Sequence, residues 1–143
     1  MKKIISFVLL TIVLTGCSIV EETNNTLNYA TEATDYLNEL SNFAEETSGL
    51  LNEATTDPAA KEELEDRLLS LEDSIKNFNN IEVPTIAEGI HQTITEKNQQ
   101  LLDATNNVVQ NGEVVVEQMQ NSEIYQTIEN ITELKNQIEQ LGF

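Results

Sequence analysis

The sequence predicts an all-α fold, an up-and-down antiparallel four-helix bundle. Three observations predict it. Apolar residues recur at alternating three- and four-residue spacings in separate stretches, the a/d seam of packed helices. Short breakers divide these stretches, among them Asp57-Pro58, Asn79-Asn80, Val83-Pro84 and Asn111-Gly112, and connections that short join antiparallel neighbours. No strand pair with hairpin chemistry stands out anywhere along the chain.

Ahead of the helices lies a different signal. Lys2 and Lys3 make a positive start, Ile4 to Leu14 an apolar run, and Leu14-Thr15-Gly16 leads into Cys17, the single cysteine among 143 residues. A positive n-region, a short apolar h-region and small residues at the cut describe a secretory signal peptide. The apolar run falls short of the roughly 20 residues needed to span a bilayer. The Leu14-Thr15-Gly16-Cys17 ending resembles the lipobox of bacterial lipoproteins, a resemblance that implies a diacylglyceryl group on the Cys17 thiol and cleavage just before it. A lone thiol in an exported chain otherwise needs an explanation. Each buried methylene contributes about 0.8 kcal/mol, and two acyl chains hold stably where one holds reversibly. Residues 1–16 are therefore expected to be removed. Residues 17–26 are read as the lipidated cysteine and a polar tether, and 27–143 as the bundle.

Composition sets further bounds. The seven basic residues include the two lysines of the leader, so five remain against 25 acidic ones, a formal charge of about −20 after cleavage. Such a chain is repelled by nucleic acid and by anionic lipid surfaces. With no second cysteine there is no internal disulfide, and apolar packing must hold the fold.

The first helical pattern starts at Leu27. Its seam reads Ala30, Ala33, Leu37, Leu40, Ala44, Leu51 and Ala54, with Thr47 in one polar slot. Beside it Tyr29, Tyr36, Phe43 and Leu50 stand seven apart. This broad apolar face suits a bundle. The stripe Tyr29, Tyr36 and Phe43 is expected inside it, with an exposed partner face as the alternative.

Asp57-Pro58 opens the second helix, a capping carboxylate followed by proline at the first helical position. Leu64, Leu68, Leu71, Ile75 and Phe78 form its seam. The third helix follows Val83-Pro84 with the face Ala87, Ile90, Ile94, Leu101, Ala104 and Val108, interrupted by Lys97, and ends at Asn111-Gly112. Val114 to Val116 reads either as a short strand or as the start of a helix. Asn121-Ser122 looks like a fresh cap for a last helix carrying Ile124, Ile128, Ile131, Leu134, Ile138 and Leu141, closed by Gly142.

Catalytic chemistry finds little to build on. The one histidine, His91, has no second histidine or free thiol to share a transition metal, so no metal site is expected. Ser41, Ser48, Ser70, Ser74 and Ser122 have no spacing that pairs them with His91. No phosphate loop, nucleophile elbow or calcium loop occurs. The run Glu62, Glu63, Glu65 and Asp66 is a solvated face, with loose calcium binding as the most it offers. No cofactor is expected, and the chain is read as a non-enzyme and a monomer.

The lipobox, the Leu27-Asn28-Tyr29-Ala30-Thr31-Glu32-Ala33 opening and the Asn121-Ser122-Glu123-Ile124-Tyr125-Gln126-Thr127-Ile128 segment resemble a family of small lipoproteins of Gram-positive bacilli, domain of unknown function family 6376. The resemblance implies an exported, membrane-anchored helical protein and supplies no site residue. Two functions are weighed. One is a non-enzymatic binding or spacer module, lipid-anchored at the outer face of the cell membrane, with a basic envelope protein as partner on an acidic face such as Glu62, Glu65 and Glu72. The other is a small-ligand or envelope-stress sensor with a cavity among Ala30, Ala33, Ala44, Ala54, Ala87 and Ala104.

Overall fold

The structure is a computed structural model that describes residues 16–141. Its long helix α1 spans Gly16–Glu53, α2 spans Pro58–Phe78 and α3 spans Glu88–Val108 after a single 3-10 turn at Thr85–Ala87. A two-stranded hairpin follows, β1 Val109–Gln110 and β2 Glu113–Val114. The fourth arm is broken into α4 Val116–Gln120, α5 Ile124–Thr132 and α6 Lys135–Glu139. The protein is all-α in essence, with the hairpin as its small exception.

Side-chain pairs fix the helix directions. As position on α1 rises from Glu39 to Glu46, its α2 partner falls from Ser74 to Arg67, so the two are antiparallel. The fourth arm also opposes α1: Tyr125 meets Thr47, and Lys135 meets Asn38. α3 runs with α1, because Tyr29 meets His91 and Tyr36 meets Asn98, seven residues on in both helices. The result is up, down, up, down.

α2 forms where its sequence signals say it should. The Asp57 side chain accepts from the Ala59 N–H at 2.9 Å with Pro58 behind it, and Leu64, Leu68, Leu71, Ile75 and Phe78 are all buried. α1 differs in two ways. It is rotated relative to the Ala30 and Ala44 seam: those two are half-buried, while Tyr29, Tyr36 and Phe43 pack inside with Ala33 and Leu40. Larger side chains bury more apolar area, so the aromatic stripe takes the interior. It also begins far upstream of Leu27. Residues 17–26, read from the sequence as a polar tether or a frayed first turn, are helical and continuous with the bundle.

The α3 face needs a correction. Lys97 does not interrupt the seam, which runs Ile94, Asn98, Leu101, Thr105 and Val108; Ala104 and Ile90 sit half-exposed beside it. The sequence pattern hid this because two of the inward positions are polar. Thr105 is satisfied by donating to the Leu101 carbonyl at 2.9 Å. Asn98 is satisfied on both sides: its Oδ1 accepts from the Tyr36 hydroxyl at 2.5 Å, and its Nδ2 donates to Asn79 Oδ1 at 2.7 Å. A polar residue at such a position costs stability but fixes register, since it demands matched partners.

The second correction is the hairpin. Asn111-Gly112 does not merely end a helix. Asn111 has φ 55° and Gly112 φ 84°, both positive, as the two-residue turn of a tight hairpin requires. Val109 pairs with Val114, and Gln110 with Glu113. α2 holds the hairpin down: Val114 N–H donates to Glu65 Oε1 at 2.9 Å, and Lys61 reaches Glu113 at 2.8 Å. That contact holds the Glu113 carboxyl below its ordinary range and raises Lys61. A Cβ at Gly112 would meet nothing within 4 Å. The cost of Gly112→Ala is therefore conformational alone, about 1–2 kcal/mol, to be read as a loss in urea-unfolding free energy.

The fourth arm departs from the single helix expected. Val114 lies in strand and Val116 starts a helix, so both readings of that stretch hold in turn. Ser122 does not cap α5; its hydroxyl donates back to the Met119 carbonyl at 2.8 Å. The break at Glu133-Leu134 is a tight turn that keeps Ile124, Ile128, Ile131 and Ile138 buried on one face. Gly142 lies outside the described residues.

Candidate functional site

The anchor comes first. Leu14 and Thr15 of the lipobox lie outside the described residues, whereas Gly16 and Cys17 form the first turn of α1. At 1.5 Å per residue, α1 is about 57 Å long against about 32 Å for α2 or α3. Cys17 and Leu27 are separated by about 15 Å of helix on the same scale. Asn25, near the start of the bundle on α1, donates to Glu82 at 3.3 Å in the α2–α3 connection. That connection is therefore at the anchored end, and the hairpin is at the far end. Among the described residues no helix is long and apolar enough to cross a membrane.

Close to the anchored end the core holds an aromatic cluster. Tyr36 stacks on Phe78 with centroids 4.3 Å apart, Phe78 meets His91 at 5.1 Å, and Tyr29 meets His91 edge-on at 5.8 Å. Tyr29 and Tyr36 are 1% and 4% exposed and Phe43 7%. The stripe is thus interior, and the exposed partner face considered for Tyr29, Tyr36 and Phe43 does not exist in this structure. Burial pushes the Tyr29 hydroxyl up to about 12 and Tyr36 higher still, so both remain protonated donors at neutral pH. Tyr125, half-buried, donates to Thr47, whose own hydroxyl is spent on the Phe43 carbonyl.

His91 is half-buried, with Nδ1 3.5 Å from the Tyr29 hydroxyl. Burial lowers its pKa from 6.5, because the charged ring loses water. The folded state then binds the His91 proton less readily than the unfolded chain does. This penalty is absent well above pH 6.5 and grows as pH falls below it. His91→Phe keeps a ring and removes the titration. The melting-temperature difference between variant and wild type should therefore move in the variant's favour as pH falls from 7.5 to 5.5.

Four of the five serines considered against His91 are engaged elsewhere, and Ser48 is exposed on α1. Ser41, Ser70 and Ser122 donate to backbone carbonyls, and Ser74 donates to Glu39. Among the described residues no group of three or more His, Cys, Asp or Glu is arranged to hold a metal ion. The depressions described open to solvent rather than into the core. Ala33 and Ala87 are fully packed, while Ala30, Ala44 and Ala104 are half-exposed. Along the α1–α2 seam a depression of about 280 Å³ has Leu40, Phe43 and Leu71 as its floor, with Glu39 and Glu46 on its wall. The face formed by Glu62, Glu65 and Glu72 is less open, because Glu65 holds the hairpin and Glu72 pairs with Lys76 at 3.3 Å.

A leader ending in one cysteine, continued as a helix into a packed bundle, defines a class. Residues 1–18 match a prokaryotic membrane lipoprotein lipid attachment site, and the chain is a membrane-anchored lipoprotein. It belongs to a family of unknown function, DUF6376, whose profile matches residues 29–141. It is also similar to a protein of Bacillus subtilis (strain 168) described as "Uncharacterized lipoprotein YybP", 36% identical over 130 residues, covering 89% of this chain and 88% of that one. No solved structure matches.

Proposed function

We propose that this lipoprotein is a non-enzymatic binding or spacer module, held at the outer face of the cell membrane by lipid on Cys17. One observation carries the reading. α1 runs without a break from the lipid-bearing residue into the bundle core, so anchor and body are a single rod. A rod of this kind sets a fixed distance between the membrane and whatever its faces hold. The acidic surface keeps the body soluble and away from anionic lipid, and it favours a basic envelope protein as partner.

The test is crosslinking in living cells, followed by identification of what co-purifies with the wild type and with His91→Ala. The reading expects the same basic partner from both and an unchanged cellular role. Loss of the role in a stably folded His91→Ala protein would overturn it, since a binding or spacer module has no use for that imidazole.

A further inference from the structure

We propose that the α1–α2 seam is a docking groove for a basic segment of a partner protein, one that seats a lysine or arginine side chain in the half of the groove that Arg67 does not reach. The inference rests on the binding-module reading above and names the surface that binds. Two depressions, of about 280 and 250 Å³, lie end to end along the seam and share Glu39 and Ser74 in their walls. The first is floored by Leu40, Phe43 and Leu71, the second by Tyr36, Phe78 and Ile81. On α1 the first is lined by residues from 39 to 46 and the second by residues from 32 to 39. Their centres are thus offset by about seven residues, or about 10 Å of helix.

The chemistry of the walls selects the occupant. α1 places Glu32, Asp35, Glu39 and Glu46 along one edge, all exposed and at helical spacings that keep them on one side. A lysine or arginine meets both demands of such a depression. Its methylene stem lies over apolar floor while its charged head reaches the carboxylates. The chain already does this once with its own residue. Arg67 reaches across from α2 to Glu46, with a further contact to Glu63 at 3.5 Å.

The second depression has no lysine or arginine in its lining. Its carboxylates await a cation from outside. An acidic ligand would be repelled from this groove. An uncharged apolar one would strip water from the rim without replacing its hydrogen bonds.

The experiment uses the full-length protein in nanodiscs of zwitterionic phosphatidylcholine, which hold no anionic lipid to attract the probe. The probe is an alanine-based helical peptide that carries one arginine, placed to reach Asp35 and Glu39 together. Its affinity is measured for wild type, for Asp35→Asn/Glu39→Gln and for Glu62→Gln/Asp66→Asn. The last pair removes the same charge from the solvent face of α2. The amide oxygen introduced by Glu39→Gln still accepts from Ser74, so the melting temperature should hold and can be checked directly.

Loss of two exposed charge contacts should weaken binding about tenfold for the groove pair, and by less than about twofold for the control pair. Equal weakening by both pairs, or no binding of the peptide to the wild type, overturns the groove. Either result leaves the anchored binding module standing, because that reading fails only in the crosslinking experiment.

Discussion

Cys17→Ser should abolish the processed, lipid-labelled form of the protein at the membrane. Serine is close in size to cysteine but offers no thiol for the acyl-bearing group. The variant is then expected either to stay uncleaved, with residues 1–16 still attached, or to leave the membrane for the medium. The size of the effect follows from the anchor being the main attractive term. At about 0.8 kcal/mol per buried methylene, two acyl chains dominate any contact made by the protein surface. The surface opposes association with anionic lipid, given a formal charge of −18 for the whole sequence. Fractionation of cells and medium, with a metabolic lipid label, reads the result. Unchanged retention of a cleaved, unlabelled variant would remove the lipid from the account.

Ile131→Ala and Leu68→Ala should each be strongly destabilising. Ile131 is fully buried on α5, between α1 and α3, and Leu68 is 2% exposed on α2. Truncation of a buried isoleucine or leucine costs about 2–5 kcal/mol, from lost transfer energy plus the cavity left behind. Leu69→Ala is the matched control, because Leu69 lies on the outside of α2 at 61% exposure. That change should alter stability by less than about 0.5 kcal/mol. Chemical unfolding of the three variants settles the order. Equal costs at Leu68 and Leu69 would mean that α2 does not present the face described.

These two effects involve the parts of the molecule that were most legible in the sequence. The lipobox is a local signal, readable from four consecutive residues. α2 is nearly as plain, with a capping aspartate, a proline behind it and large apolar residues at every inward position. The other elements were harder for identifiable reasons. In α1 two apolar stripes lie side by side, and periodicity alone does not say which one the neighbouring helices cover. Both proved to be covered for most of their length: Ala33, Leu37, Leu40, Leu51 and Ala54 are buried beside Tyr29, Tyr36 and Phe43, and only Ala30, Ala44 and Leu50 are half-buried.

In α3 the inward positions include Asn98 and Thr105, and an apolar pattern cannot find them. Asn98 becomes intelligible once Tyr36 and Asn79 are beside it. The hairpin has strands of two residues each, too short for an alternation to register, although Asn111-Gly112 is a strong turn signal in its own right. Helix α1's early start was masked by the polar composition of residues 18–26.

The candidate groove was the least legible feature. Its carboxylates belong to one helix and its serines to another, and only the antiparallel pairing of α1 with α2 brings Glu39 to Ser74 and Glu46 to Arg67. The acidic face chosen from sequence, Glu62, Glu65 and Glu72, is adjacent in the chain pattern but partly engaged in the fold.

The central claim is that lipid on Cys17 holds this bundle at the membrane, and mass spectrometry of the N-terminal peptide from membrane-purified protein tests it most directly. The account predicts a peptide that begins at Cys17, lacks residues 1–16 and carries the mass of a diacylglyceryl group on the sulfur. A membrane-bound protein whose Cys17 is unmodified would contradict it.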